Sequence, residues 1–139
     1  MYLNQLEDVS FISQIEDNCI VSADLTSGKM NNLEFLQHID YLFISDEDLF
    51  MDVEHLARQV KGWVVLHYPD GSYCTDGENS FSTETKTLKN INVLGAGDMF
   101  AAGFIVRSLV KEHDIKKCIK FAHENTTKLL LRRNDGGTN

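Results

Sequence analysis

Short apolar runs alternate with amphipathic stretches along the chain, the pattern of an α/β domain with a mainly parallel sheet. Leu6, Val9, Ile12 and Ile15 recur at helical spacing and predict a helix over 4–16. A buried strand follows over Cys19–Asp24, then a polar turn over Leu25–Met30 and a short helix carrying Leu33, Leu36 and Ile39. Tyr41-Leu42-Phe43-Ile44 is a second buried strand ending at Ser45. Asp46-Glu47-Asp48 suits the start of the next helix, where negative charge meets the positive end of the helix dipole. Leu49, Val53, Leu56, Ala57 and Val60 supply that helix with an apolar stripe, and Gly62 closes it.

Trp63-Val64-Val65-Leu66 is the third strand, and Pro69-Asp70-Gly71 turns the chain into Tyr73-Cys74 as a hairpin at the sheet edge. Residues 75–90 are polar and predict short strands and loop, after which Ile91-Asn92-Val93 is extended. Gly95-Ala96-Gly97 breaks the chain before a largely apolar helix over Asp98–Lys111. A last helix runs from its cap Asp114 to about Leu131, with Arg132-Arg133 favouring its C-terminal end. No repeat, low-complexity tract or linker interrupts the chain, so residues 1–139 read as a single domain.

Composition narrows the function classes. With 21 acidic against 13 basic residues the formal charge is -8, which argues against nucleic acid as a partner because phosphate backbones need a basic face. No apolar run reaches the roughly 18 residues of a membrane span, and residues 1–25 carry no secretory signal pattern, so the expected location is cytoplasmic, with no membrane partner. Cys19, Cys74 and Cys118 are an odd number without metal-site spacing and read as idle thiols.

Candidate chemistry concentrates between Asn92 and Ile105. Gly95 and Gly97 let the backbone turn tightly and approach a ligand, and the first N–H groups of the following helix have no intrahelical partner, which makes an anion hole. Asp98 stands at its mouth, where a carboxylate competes with a bound phosphate. A base that orients an attacking hydroxyl and takes its proton explains that placement better than a bare acidic cap. Gly28-Lys29 lacks the remainder of a Walker loop, and Phe100 stands where a dinucleotide fingerprint needs Gly. The acids 46–48 also evoke the pocket of a receiver-like domain, but the Lys such a pocket needs at its last strand is missing.

Residues 92–105, which include Gly95-Ala96-Gly97-Asp98 and Ala101-Ala102-Gly103, resemble the C-terminal signature of the PfkB/ribokinase-like carbohydrate kinases at every constrained position. Ala23-Asp24, Ile44-Ser45-Asp46-Glu47-Asp48 and Val64–Ser72 fit that family's layout, so the resemblance covers about residues 18–135. Within the family, Asp40–Ser45 and the Leu before Gly95 look most like the fructoselysine kinase type. The resemblance implies a three-layer α/β/α fold, ribokinase-like, with only its C-terminal portion in this sequence. It also implies ATP and Mg²⁺ as cofactors and a small sugar or sugar derivative as substrate.

By that resemblance Asp98 is the catalytic base, Gly95, Ala96 and Gly97 form the anion hole, and Ser45, Gly71 and His123 touch the nucleotide. Asp48 handles the metal indirectly, through water. Ser45 and Asp48 replace the ends of the family's Asn-x-x-Glu motif, Leu66-His67-Tyr68 stands where Thr-Leu-Gly is usual, and Asn92 replaces a frequent Asp. The family's N-terminal half, with its sugar-binding carboxylates and lid sheet, has no counterpart here. The edge and apolar face so exposed predict a homodimer, or cover by the missing half. The altered positions also fit a second reading, a non-catalytic nucleotide-binding or protein-interaction module derived from a sugar kinase.

Overall fold

β-Branched and aromatic runs become strands where pairing partners await them, and the computed structural model describes residues 2–4, 14–25, 34–110 and 114–136. Six strands lie side by side in chain order: β1 (Tyr2–Asn4), β2 (Ser22–Leu25), β3 (Tyr41–Ser45), β4 (Trp63–Tyr68), β5 (Gly71–Thr75) and β6 (Ser80–Glu84). The first four are parallel, with Leu3 opposite Ala23, Ala23 opposite Leu42 and Leu42 opposite Val64. The helices are α1 (Val53–Gln59), α2 (Ala96–Ser108) and α3 (Ile115–Gly136). Contacts divide the chain into two compact units, Met1–Tyr68 with Tyr73–Ser82, and Pro69–Ser72 with Thr83–Asn139.

The core of the first unit gathers Ala23, Leu42, Ile44 and Val64 from the strands and Val21 from just before β2, with Leu36 and Leu56 from the helical segments. Phe43 and Val65, which alternation turns to the opposite face, are fully buried as well. Burial on both faces is why these central parallel strands read as unbroken apolar runs. Glu54 of α1 accepts hydrogen bonds from Tyr73 and Thr75, tying the helix to β5. In the second unit α2 and α3 meet at small residues, where a Cβ on Gly103 would lie 3.4 Å from the Ala122 Cα. Burial pushes the Cys74 and Cys118 thiols up, so both stay protonated.

Several expectations need correction. Asn4 ends β1 instead of starting a helix; the rest of that predicted helix up to residue 13, and the predicted turn beyond Leu25, lie outside the described residues. The strand expected from Cys19 begins at Ser22. Asp46–Asp48 form a separate 3₁₀ turn, and α1 starts seven residues after Asp46, capped by the Asp52 carboxylate on the His55 N–H at 3.1 Å. Gly62 is not the cap of that helix, which ends at Gln59. Residues 91–93 join no strand, α2 begins two residues before Asp98, and α3 continues five residues past Leu131.

Asp40 holds the entry to the parallel sheet. Its Oδ2 accepts the N–H of buried Val21 at 2.8 Å, and its Oδ1 meets the Lys61 ammonium at 3.3 Å. Asp40→Ala strands that buried donor and is expected to cost about 1–3 kcal/mol in urea denaturation. Lys61→Ala, which removes only a solvent-exposed ion pair, should cost under about 1 kcal/mol. Equal losses in the two variants would mean that the ion pair, not the buried N–H, carries the effect.

Candidate active site

The second unit contains the glycine-rich loop and the residues around it. Asn90 takes φ 58° just before the loop, and the Asn92 side chain turns the chain by accepting the Leu94 N–H at 2.9 Å. The Ala96 N–H donates to the Val93 carbonyl at 3.0 Å, and Gly95 sits at φ 80°, a left-handed conformation that suits glycine. α2 then closes its first bond from the Met99 N–H to the Gly95 carbonyl at 2.9 Å. The N–H groups of Gly97 and Asp98 precede that bond and have no helical carbonyl four residues back. Of the three residues expected to form the hole, Gly95, Ala96 and Gly97, the Ala96 N–H is therefore engaged within the loop, while the Gly97 N–H, joined by that of Asp98, belongs to the first turn of the helix.

Asp98 occupies the third position of α2, and its side chain is exposed. Among the described residues no heavy atom other than those of its chain neighbours lies within 4 Å of where a Cβ on Gly95 would stand. An exposed carboxylate beside N–H groups that have no helical carbonyl partner can take a proton from a hydroxyl while an anion is held next to it.

His123 lies on α3, buried, its Nε2 in a 2.9 Å hydrogen bond with Ser72 Oγ and its ring centroid 4.7 Å from that of Phe100. Ser72 follows Gly71, which is itself buried at the start of β5. His123 thus joins the Gly71 turn to α2 two residues past Asp98. The sequence reading missed both Ser72 and Phe100 in this contact, because neither residue carries a local sign of a partner 51 or 23 positions away.

Ser45 and Asp48 belong to the first unit. The Ser45 hydroxyl accepts the Glu47 N–H and donates to Asp46 Oδ1, each at 3.3 Å, which makes it the cap of the 3₁₀ turn. Its register partner on β4 is His67. Burial holds the His67 imidazole below the ordinary histidine range, opposed by the charges of Asp46 and Asp48. His67 is a further residue beside this pair that the sequence presented only as a departure from Thr-Leu-Gly. Among the described residues no three His, Cys, Asp or Glu side chains converge as a metal site. Among the described residues no helix is long and apolar enough to cross a membrane.

The pattern of the pfkB family carbohydrate kinases matches residues 10–133. Ribokinase from Thermotoga maritima superposes with a TM-score of 0.75 at 19% identity, over 93% of this chain and 49% of that one. Adenosine kinase from Anopheles gambiae, in complex with P1,P4-di(adenosine-5) tetraphosphate, gives 0.68 at 17% identity, over 88% and 43%. A pyrophosphate-dependent kinase of the ribokinase family, complexed with a pyrophosphate analog and myo-inositol, gives 0.64 at 20%, over 81% and 48%. The chain spans about half the length of these structures. Its fold is ribokinase-like α/β, and with the family pattern running through most of its length the chain belongs to the pfkB family of carbohydrate kinases.

Proposed function

We propose that this chain is the C-terminal domain of an ATP-dependent sugar kinase and supplies its phosphoryl-donor site and catalytic base. The observation that carries the reading is the exposed Asp98 in the first turn of α2, beside a glycine loop whose N–H groups lack helical partners. In the reaction the sugar hydroxyl oxygen bonds to the γ-phosphorus as the bond from that phosphorus to the β,γ-bridging oxygen breaks and ADP leaves. Asp98 orients the hydroxyl and takes its proton, and the Gly97 and Asp98 N–H groups stabilise charge on the transferred phosphoryl oxygens. Mg²⁺, when bound, would neutralise charge on the donor phosphates. Gly71 borders the nucleotide in this reading, and His123 shapes its pocket by fixing Ser72 beside Gly71.

A thermal-shift titration with Mg-ATP tests the donor site. Ligand at 100 times its dissociation constant should stabilise the chain by about 2.7 kcal/mol. Gly97→Val places a branched side chain in the first turn of α2 and should abolish the shift relative to its own baseline. Saturable stabilisation by pyrophosphate but not by ATP would reassign the donor. No shift with either up to millimolar concentration would favour the non-catalytic interaction module.

A further inference from the structure

α3 runs five residues beyond the point where its apolar pattern ends, and those residues grip the glycine loop. Arg133 donates through Nη1 to the Leu94 carbonyl at 2.8 Å and through Nη2 to the Asn92 carbonyl. Asn134 accepts the Asn92 N–H on Oδ1 at 3.2 Å and places Nδ2 3.4 Å from the Asn92 carbonyl, while the same Nδ2 donates to the Leu130 carbonyl at 2.8 Å. Two adjacent residues of one helix thus make four hydrogen bonds to the backbone of two alternate residues of one loop. A basic residue in the last turn of a helix ordinarily meets its own helix's free carbonyls or solvent. Arg133 instead spends its guanidinium, with the geometry of a two-pronged donor, on a loop some 40 positions away.

We infer that Arg133, with Asn134, is the positioning clamp of the glycine loop: a tethered guanidinium that gathers the Asn92 and Leu94 carbonyls and thereby fixes where the N–H groups from Ala96 to Asp98 stand. The functional half of this inference rests on the donor-site reading above; the structural half does not. Loop carbonyls drawn to one side by a cation leave the tight turn at Gly95 a single shape, so the helix start is organised before an anion arrives. Without the guanidinium, the Asn92 and Leu94 carbonyls turn to water and the loop samples several conformations. Neither Arg133 nor Asn134 needs to touch the reacting atoms.

The experiment uses this chain, with Arg133→Ala, Arg133→Lys and Asn134→Ala set against Arg132→Ala, the exposed neighbour, as control. Amide hydrogen exchange is read at Leu94 and Ala96, whose N–H groups are bonded inside the loop, and calorimetry reads Mg-ATP affinity. In Arg133→Ala exchange at both amides should rise about tenfold and affinity fall by a similar factor, as expected for lost charge-assisted hydrogen bonds. Exchange in β3, β4 and α1 should stay unchanged. Lys should restore part of the effect, and millimolar free guanidinium should restore loop protection in Arg133→Ala but leave Arg132→Ala as it was. If Arg133→Ala does not fold, Arg133→Lys and Asn134→Ala report on the same bonds. Loop exchange unchanged in the Arg133 variants, or equally raised in Arg132→Ala, overturns the clamp, as does unaltered Mg-ATP affinity in Arg133→Ala when the wild type binds. A wild-type chain that binds no nucleotide yet loosens its loop on Arg133→Ala supports the clamp and removes the kinase reading instead.

Discussion

Gly62→Ala is expected to destabilise the chain by about 3 kcal/mol, the upper range for an overpacked site, with no loss of any side-chain contact. A Cβ at this position would stand 2.0 Å from the Asp40 carbonyl oxygen, with the Asp40 carbonyl carbon at 2.9 Å. Neither segment can retreat cheaply. The Gly62 N–H donates to the Ile39 carbonyl at 3.1 Å, and the Trp63 N–H to the Asp40 carbonyl at 2.8 Å. Asp40 is also anchored to the Val21 N–H through its side chain. The parallel register of β3 and β4 begins one residue later, at Tyr41 opposite Trp63, so relief of the clash would pull the first rung of the ladder apart. Gly95→Ala offers a contrast, since there the cost is only that of a left-handed φ in open space, about 1–2 kcal/mol. Urea midpoints at constant slope measure both. A Gly62→Ala chain as stable as the wild type would mean that the two segments separate without penalty.

Gly62 also marks where reading the sequence runs out. A glycine after an amphipathic stretch is the ordinary sign of a helix end, and only the approach of a segment 22 positions earlier reveals its actual constraint. What was legible is local: the apolar runs of β3 and β4, the Pro69-Asp70 turn, Asp114 as the cap of α3, and a helix starting within Gly95–Asp98. Asp114 accepts the Lys116 N–H at 3.0 Å, as its position before a periodic run predicts. β1 was not legible, because three residues make a strand only through their pairing with Ser22–Asp24. The Asp52 cap was present in the sequence, but the acidic triplet before it drew the helix start seven residues too early. The same limit applies at the site. The glycine loop announces itself, whereas His123 on Ser72 and Arg133 on Leu94 join positions 51 and 39 apart and leave no mark on either neighbourhood.

Asp98→Asn, in an assembled kinase carrying this chain, is expected to lower kcat by about 10³-fold while leaving Mg-ATP binding intact or slightly tighter. The side chains are nearly the same size, so the first turn of α2 keeps its shape, but an amide oxygen cannot accept the proton of the attacking hydroxyl. Asp98 is exposed and lies in the same turn as the N–H groups proposed to hold the transferred phosphoryl. Its negative charge works against that anion, so its removal should favour phosphate binding even as transfer stops. An acid that merely decorates a helix start behaves otherwise: its neutralisation costs about 0.3–1 kcal/mol of stability through the helix dipole and does not touch kcat. The two accounts therefore differ in the size of the effect on kcat. Steady-state kinetics with the sugar acceptor, beside Mg-ATP titration of the same variant, separate them. Turnover near the wild-type rate would end the assignment of Asp98 as base and leave the glycine loop as a binding element only. A collapse of kcat with Mg-ATP affinity retained would place the proton transfer at Asp98 and would separate it from the donor site held by the loop.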